Sequence, residues 1–299
     1  MTRDDAAIER YVQDMATVPG WFHEVDARIF LAVDALQRAR GVGGDLMEIG
    51  VYMGKSAILL GYLLDGGERL TVCDVFDAGD EVSGENVAES SVYYSDLQQR
   101  AFEDQYRRFH SRLPSVLAMP STRLDREALA GTCRFVHVDG SHTYEVVQED
   151  VQTARALLGP GGVVAFDDWA QPHTPGVGLA VWEEFLRGDL VPLAITNAKL
   201  YATWDRDGLR RADLEDWGRR QPLVTVSYPH ELGDRAVCRF TMPEPVAPGP
   251  AEAVAEVAPA PAAPGVAEPA WRRVARQVAP PVALSLYRRA RHRVETRDR

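Results

Sequence analysis

Three short stretches bring together residue types that could do chemistry. VDGSH at 138–142 places Asp139 three positions before His142, and FDDW at 166–169 sets Asp167 and Asp168 side by side. Carboxylates gathered at one point repel one another, and a divalent cation relieves the conflict. An all-oxygen set with room for water and substrate suits Mg²⁺, or Mn²⁺ or Ca²⁺, far better than Zn²⁺. Histidine is the side chain whose ordinary pKa best suits it to take a proton near neutrality, so His142 is the candidate base. Each motif alone has a plainer role: Asp139 capping the next helix, Asp167 and Asp168 in a solvated loop, His142 in a local hydrogen bond. Their joint occurrence at the ends of adjacent strands would point to a metal-assisted site.

The third stretch is EIGVYMGKS at 48–56. Glycines between a strand and a helix let a ligand approach the backbone, and the helix start offers free N–H groups. A dinucleotide fingerprint fails because Tyr52 stands at its second glycine, and a P-loop fails because Gly50 to Lys55 is one residue too short. What remains is Glu48, Gly50, Gly54 and Ser56 around Tyr52. Farther on, Asp74 ends a second apolar run, where a carboxylate can accept both ribose hydroxyls. It could equally cap the loop, and Asp77 is the alternative if the strand runs longer.

These residues need elements to hold them. Apolar runs at 45–49, 70–75, 115–118, 134–138 and 163–166 read as buried strands, each followed by a helical segment or a long loop, which implies a parallel sheet covered on both faces. A helix is expected over 142–158, with Val147, Val151, Ala154 and Leu158 at helical spacing and Gly159 to Gly162 stopping it. Residues 192–197 and 199–204 are close enough for a hairpin, and 223–228 and 236–241 are two more candidate strands. In an open α/β sheet ligands bind at the carboxyl ends of the strands, where all three motifs fall.

The chain has 299 residues and a formal net charge of −11. From Glu244 onward it holds nine arginines against six acids, leaving net −14 for the remainder, which should repel nucleic acid. Lys55 and Lys199 are the only lysines, read as compositional bias. No apolar run approaches the ~20 residues needed to cross a bilayer. The start is too acidic for a targeting peptide, and Cys73, Cys133 and Cys238 form no Cys-x-x-Cys pair, so a cytoplasmic protein with reduced thiols is expected. Residues 243–269, nearly all Pro, Ala, Val, Gly and Glu, read as an extended linker. Residues 270–299 read as an arginine-rich amphipathic tail, either solvated or contacting a membrane surface or partner. The folded domain is therefore placed at 1–242, with a helical N-terminal cap at 1–43 and a lid insertion at 76–114.

With EIGVYMGKS, VDGSHTYEVVQED and GGVVAFDDW, the chain resembles class I, metal-dependent O-methyltransferases of the bacterial sugar and natural-product type. Catechol and caffeoyl-CoA enzymes share the plan more distantly, since the catechol group has Asp-Asn where this chain has Asp167-Asp168. The resemblance implies a Rossmann-like, doubly wound, mostly parallel seven-stranded sheet with an antiparallel terminal hairpin. It implies S-adenosyl-L-methionine (AdoMet) held by Glu48, Gly50, Tyr52, Gly54, Ser56, Asp74, Ser121 and Asp139, with Mg²⁺ or Mn²⁺ on Asp139, Asp167 and Asp168. It further implies a small-molecule hydroxyl acceptor, His142 as base, and a homo-oligomer. Acceptor selection is expected from Trp21, Phe22 and His23, from the lid residues Asn86, Tyr93, Tyr94, Tyr106 and Arg107, and from residues 169–177 with His173. Two other classes stay open: a nucleotide-dependent transferase on a related fold, and an inactive methyltransferase-like scaffold working through its basic tail.

Overall fold

The computed structural model describes residues 4–76, 98–232 and 235–243, all within one unit, Met1–Glu244. The linker, the basic tail and most of the lid, including Asp77, Asn86, Tyr93 and Tyr94, lie outside the described residues.

Nine strands form one sheet: β1 (Asp45–Ile49), β2 (Leu70–Asp74), β3 (Ser115–Ala118), β4 (Cys133–Val138), β5 (Leu158–Phe166), β6 (Val191–Ile195), β7 (Leu200–Thr203), β8 (Thr225–Leu232) and β9 (Arg235–Thr241). Seven helices are described: α1 (Asp5–Asp14), α2 (Glu24–Ala39), α3 (Lys55–Tyr62), α4 (Gln99–Arg107), α5 (Tyr144–Leu157), α6 (Pro175–Leu186) and α7 (Arg211–Arg219). The strand order is β3-β2-β1-β4-β5-β7-β6-β9-β8. Neighbours from β3 through β5 run parallel, and β7 enters antiparallel to both β5 and β6.

The expected seven strands become nine because β9 joins the edge of the hairpin. Ala194 and Ile195 of β6 pair in parallel with Cys238 and Arg239, and Val237, Cys238 and Phe240 are fully buried there. Strand β8 then closes antiparallel on β9. A second difference concerns the glycines after α5. They do not terminate the helix in a loop: Leu158 is already extended, and residues 159–162 lie within β5. Gly161 has φ +74°, and a Cβ there would stand 2.7 Å from Val42.

The two faces of the sheet carry separate cores, and side chains alternate between them as the pleat requires. Leu46, Val72, Phe135 and Ala165 join α1, α2 and α3 in one; Met47, Cys73, Val136, Val164 and Phe166 join α5 and α6 in the other. By that alternation Glu48 and His137 share the α2 side with Leu46 and Phe135, where His137 meets the rings of Phe30 and Phe22. The switch point lies at β1, whose neighbours β2 and β4 leave in opposite directions.

Candidate active site

A cavity of about 630 Å³ opens at the carboxyl ends of β1, β2, β4 and β5. That is a size able to enclose a small ligand. Its walls include Gly50, Val51, Tyr52, Ser56, Asp74, Ser121, Asp139, His142, Asp167 and Asp168. Ten expected site residues or their direct neighbours thus meet in one space, although they come from five loops.

The glycine turn is set by packing. Gly50 has φ +79°, and a Cβ there would lie 1.9 Å from the carbonyl oxygen of Asp139, so no other residue fits without moving β4. Val51 and Tyr52 donate their backbone N–H groups to Asp74 Oδ2 at 2.7 and 3.0 Å, with Tyr52 at φ +46°. Asp74 therefore caps the loop while still lining the cavity. Two expected cofactor contacts do not reach the space. Gly54 turns toward Phe102, 2.8 Å from where its Cβ would be. Glu48 is wholly buried beneath the turn, where its Oε1 accepts from the Ser56 hydroxyl and faces His137 Nδ1 at 2.9 Å. Burial pushes the Glu48 carboxyl up to about 8. Ser121 lines the opposite wall above Asp150, a buried carboxyl raised to about 7 by desolvation and partly offset by Ser121.

The acid cluster departs further from expectation. His142 Nε2 lies 3.4 Å from Asp168 Oδ2, so the imidazole and this carboxylate form a pair facing the cavity. Asp168 is held at φ +54°, with its N–H donating to Asp167 Oδ1 at 2.9 Å and its carbonyl accepting from Thr174. Burial and the adjacent Asp167 raise its carboxyl above the ordinary range. Asp167 carries a partner that sequence reasoning missed: the ammonium of Lys199, a fully buried side chain, is in ion-pair contact with Oδ2. Burial pulls Lys199 down, but Asp167, Asp139 and Asp26 outweigh it and hold it above its usual value. Asp139, by contrast, is raised well above the usual range by burial and by Asp167.

The three aspartates consequently do not form the expected metal triad. Among the described residues, the ligand atoms lying within 4.8 Å of one another belong to His137, Asp139 and Asp167, and Asp168 stands outside that group. A dication about 4 Å from the Lys199 ammonium would be repelled by roughly 8 kcal/mol at an effective dielectric of about 20. The donor set does not fit Mg²⁺ or Mn²⁺, because a protein cation already sits in it.

The acceptor-side expectations divide. Trp21, Phe22, His23 and His173 line the cavity, joined by Gln171. Trp21 is 62% exposed and tilts against Tyr52 with ring centroids 5.6 Å apart. Trp169 instead is core, against Trp182, and Tyr106 is buried between Phe102 and His110. Arg107 pairs with Glu103 on the surface of α4.

Residues 47–169, which contain the glycine turn and both acidic motifs, match a family model described as a methyltransferase domain. Over that stretch the chain is similar to methyltransferase domains. No curated protein matches it in sequence. Among solved structures, the O-methyltransferase NovP is 16% identical with a TM-score of 0.55, over 68% of this chain and 98% of that one. CalS11, a TDP-rhamnose 3′-O-methyltransferase of calicheamicin biosynthesis, is 19% identical with a TM-score of 0.40, over 68% and 95%. An O-methyltransferase from Bacillus cereus in complex with SAH is 16% identical with a TM-score of 0.44, over 68% and 93%. The likeness to NovP is one of fold. No helix among the described residues is long and apolar enough to cross a membrane.

Proposed function

We propose that the methyltransferase domain transfers the methyl group of AdoMet to a hydroxyl of a sugar or secondary-metabolite intermediate, with His142 as general base. The observation that carries this reading is the placement of the His142–Asp168 pair in the cavity, across from the Gly50–Tyr52 turn and Asp74. AdoMet, when bound, supplies an electrophilic sulfonium methyl. Asp74 and the loop it caps would hold the ribose and methionine portions, and Ser121 would lie at the adenine side. A neutral hydroxyl is a poor nucleophile, so the proton must leave as the oxygen attacks. His142 takes it through Nδ1, the ring nitrogen that does not face Asp168, while Asp168 at Nε2 fixes the ring and stabilises the imidazolium that results. Closely held, aligned reactants supply the rest of the acceleration.

The aromatic faces of Trp21 and Tyr52 and the hydrogen-bonding groups of His23, Gln171 and His173 suit a polyhydroxylated acceptor. Three buried thiols, free of disulfides, accord with action in the reducing cytoplasm. The reading includes no metal, because Lys199 occupies the acid cluster.

Isothermal titration with S-adenosylhomocysteine tests the cofactor class, with ATP and NAD as controls. Saturable binding is expected, weakened about 10- to 100-fold in Asp74→Ala, the loss of charge-assisted hydrogen bonds. Failure of wild type to bind, or binding of ATP instead, overturns the proposal.

A further inference from the structure

We infer that Lys199 is the resident cation of this acid cluster, standing where a divalent metal ion would otherwise neutralise Asp139 and Asp167. Lys199 sits in the turn between β6 and β7, where its N–H donates to Thr196 Oγ1 at 2.9 Å and its carbonyl accepts from the Thr196 N–H at 2.9 Å. The backbone is thus fixed at the base of the side chain. From there the stem runs inward, and its Nζ lies 5.6 Å from the Phe22 ring centroid and in contact with Asp167 Oδ2.

Behind it stands a second carboxylate, Asp26, whose Oδ1 accepts from Thr196 at 2.7 Å and from Tyr201 at 2.8 Å. Lys199, Asp26 and Tyr201 are all fully buried. A lysine with no water around it must keep its anionic partners, because the bare ammonium is costly in such surroundings. The side chain has no exposed surface and its Nζ lies over the Phe22 ring, so the ammonium has no solvent into which it could swing to make room for an ion. A metal entering between Asp139 and Asp167 would therefore compete with a tethered cation that cannot leave.

Lys199 does not line the cavity and acts through Asp167, which makes it a positioning residue. Its ammonium contacts Asp167 Oδ2, and Asp167 Oδ1 in turn accepts from the N–H of Asp168, the residue that faces His142. That last consequence, for catalysis, rests on the reading of this cavity as the methyl-transfer site; the exclusion of metal does not.

The test is a Mn²⁺ titration of the full chain followed by electron paramagnetic resonance. Wild type is expected to show no saturable site up to about 1 mM Mn²⁺, the weak end of the range of protein-bound divalent cations. Lys199→Met should acquire a site at least about 100-fold tighter, as removal of the opposing charge allows. The site should vanish again when Asp167→Asn is added, and Lys199→Arg should stay without it. Saturable micromolar binding by wild type that Asp167→Asn removes overturns the inference, as does a folded Lys199→Met with no gain. Should Lys199→Met not fold, the wild-type titration decides alone: binding overturns, absence supports. Titration with S-adenosylhomocysteine alongside separates the two claims, since its failure counts against the cofactor reading and leaves the metal result standing.

Discussion

His142 and Asp168, expected as base and as metal ligand, meet each other at the cavity. The histidine three positions after Asp139 was readable as a base, and it does face the cavity. Asp168 was read as a metal ligand because adjacent aspartates suggested shared work, yet their neighbours divide them. Asp167 meets Lys199, whereas Asp168 meets His142. Lys199 escaped attention because one lysine in a chain rich in arginine looks like composition. A signal was available: like Glu48 in β1 and His137 in β4, it is an ionisable residue beside apolar neighbours, here Ala198 and Leu200, and such positions need partners when buried. If His142 is the base, His142→Ala should lower kcat about 10²- to 10⁴-fold while S-adenosylhomocysteine affinity stays within a factor of two or so. Asp168→Asn should cost less, about 10- to 100-fold, because it disturbs only the ring's orientation and charge balance. Radiolabelled methyl transfer to an accepted hydroxyl compound measures both, and equal activity in wild type and His142→Ala removes the histidine from the mechanism.

At the level of elements, the first five strands and α5 were legible because the strands read as short apolar runs, those inside the sheet largely buried and β3 at its exposed edge, and because Val147, Val151 and Ala154 keep helical spacing. The boundary after α5 was not. Gly159 to Gly162 resemble a stop signal, but tertiary pairing draws them into β5 against Cys133 and Phe135. Gly50 also carries a packing constraint that its sequence does not reveal. Its freedom from a side chain serves contact with the Asp139 carbonyl before it serves any ligand. Gly50→Ala should therefore destabilise the fold by roughly 2–6 kcal/mol, combining a left-handed backbone with overpacking. Gly41, at φ +71° with nothing within 4 Å of its notional Cβ, is the control, and Gly41→Ala should cost only about 1–2 kcal/mol. Urea denaturation of both variants gives the comparison, and equal losses would show that the close approach at Gly50 is unimportant.

For the whole molecule, the layer between the sheet and α2 holds an uncommon amount of buried charge, and this sets how stability responds to pH. Glu48 rises from an ordinary 4.5 to about 8 on folding, chiefly through burial. The folded state therefore retains a proton that the unfolded chain has released, and this group's stabilising contribution is lost as pH rises toward 8. His137 is shifted down by burial and then by Lys199, so its opposing effect is spent once pH exceeds about 6.5. Between about pH 6.5 and 8, unfolding free energy should fall by roughly 1.4 kcal/mol per pH unit for each such carboxyl, and Glu48→Gln should flatten that decline. Denaturant melts across this range measure the slope, and an unchanged slope in Glu48→Gln would assign it elsewhere. The contact between Gly50 and Asp139 has one more consequence. Because the turn that would cradle the methyl donor abuts the strand end beside the acceptor, the two halves of the reaction share a joint without play. On the proposed reading that contact would set their alignment, while among the described residues that line the cavity Trp21 is the most exposed apolar side chain.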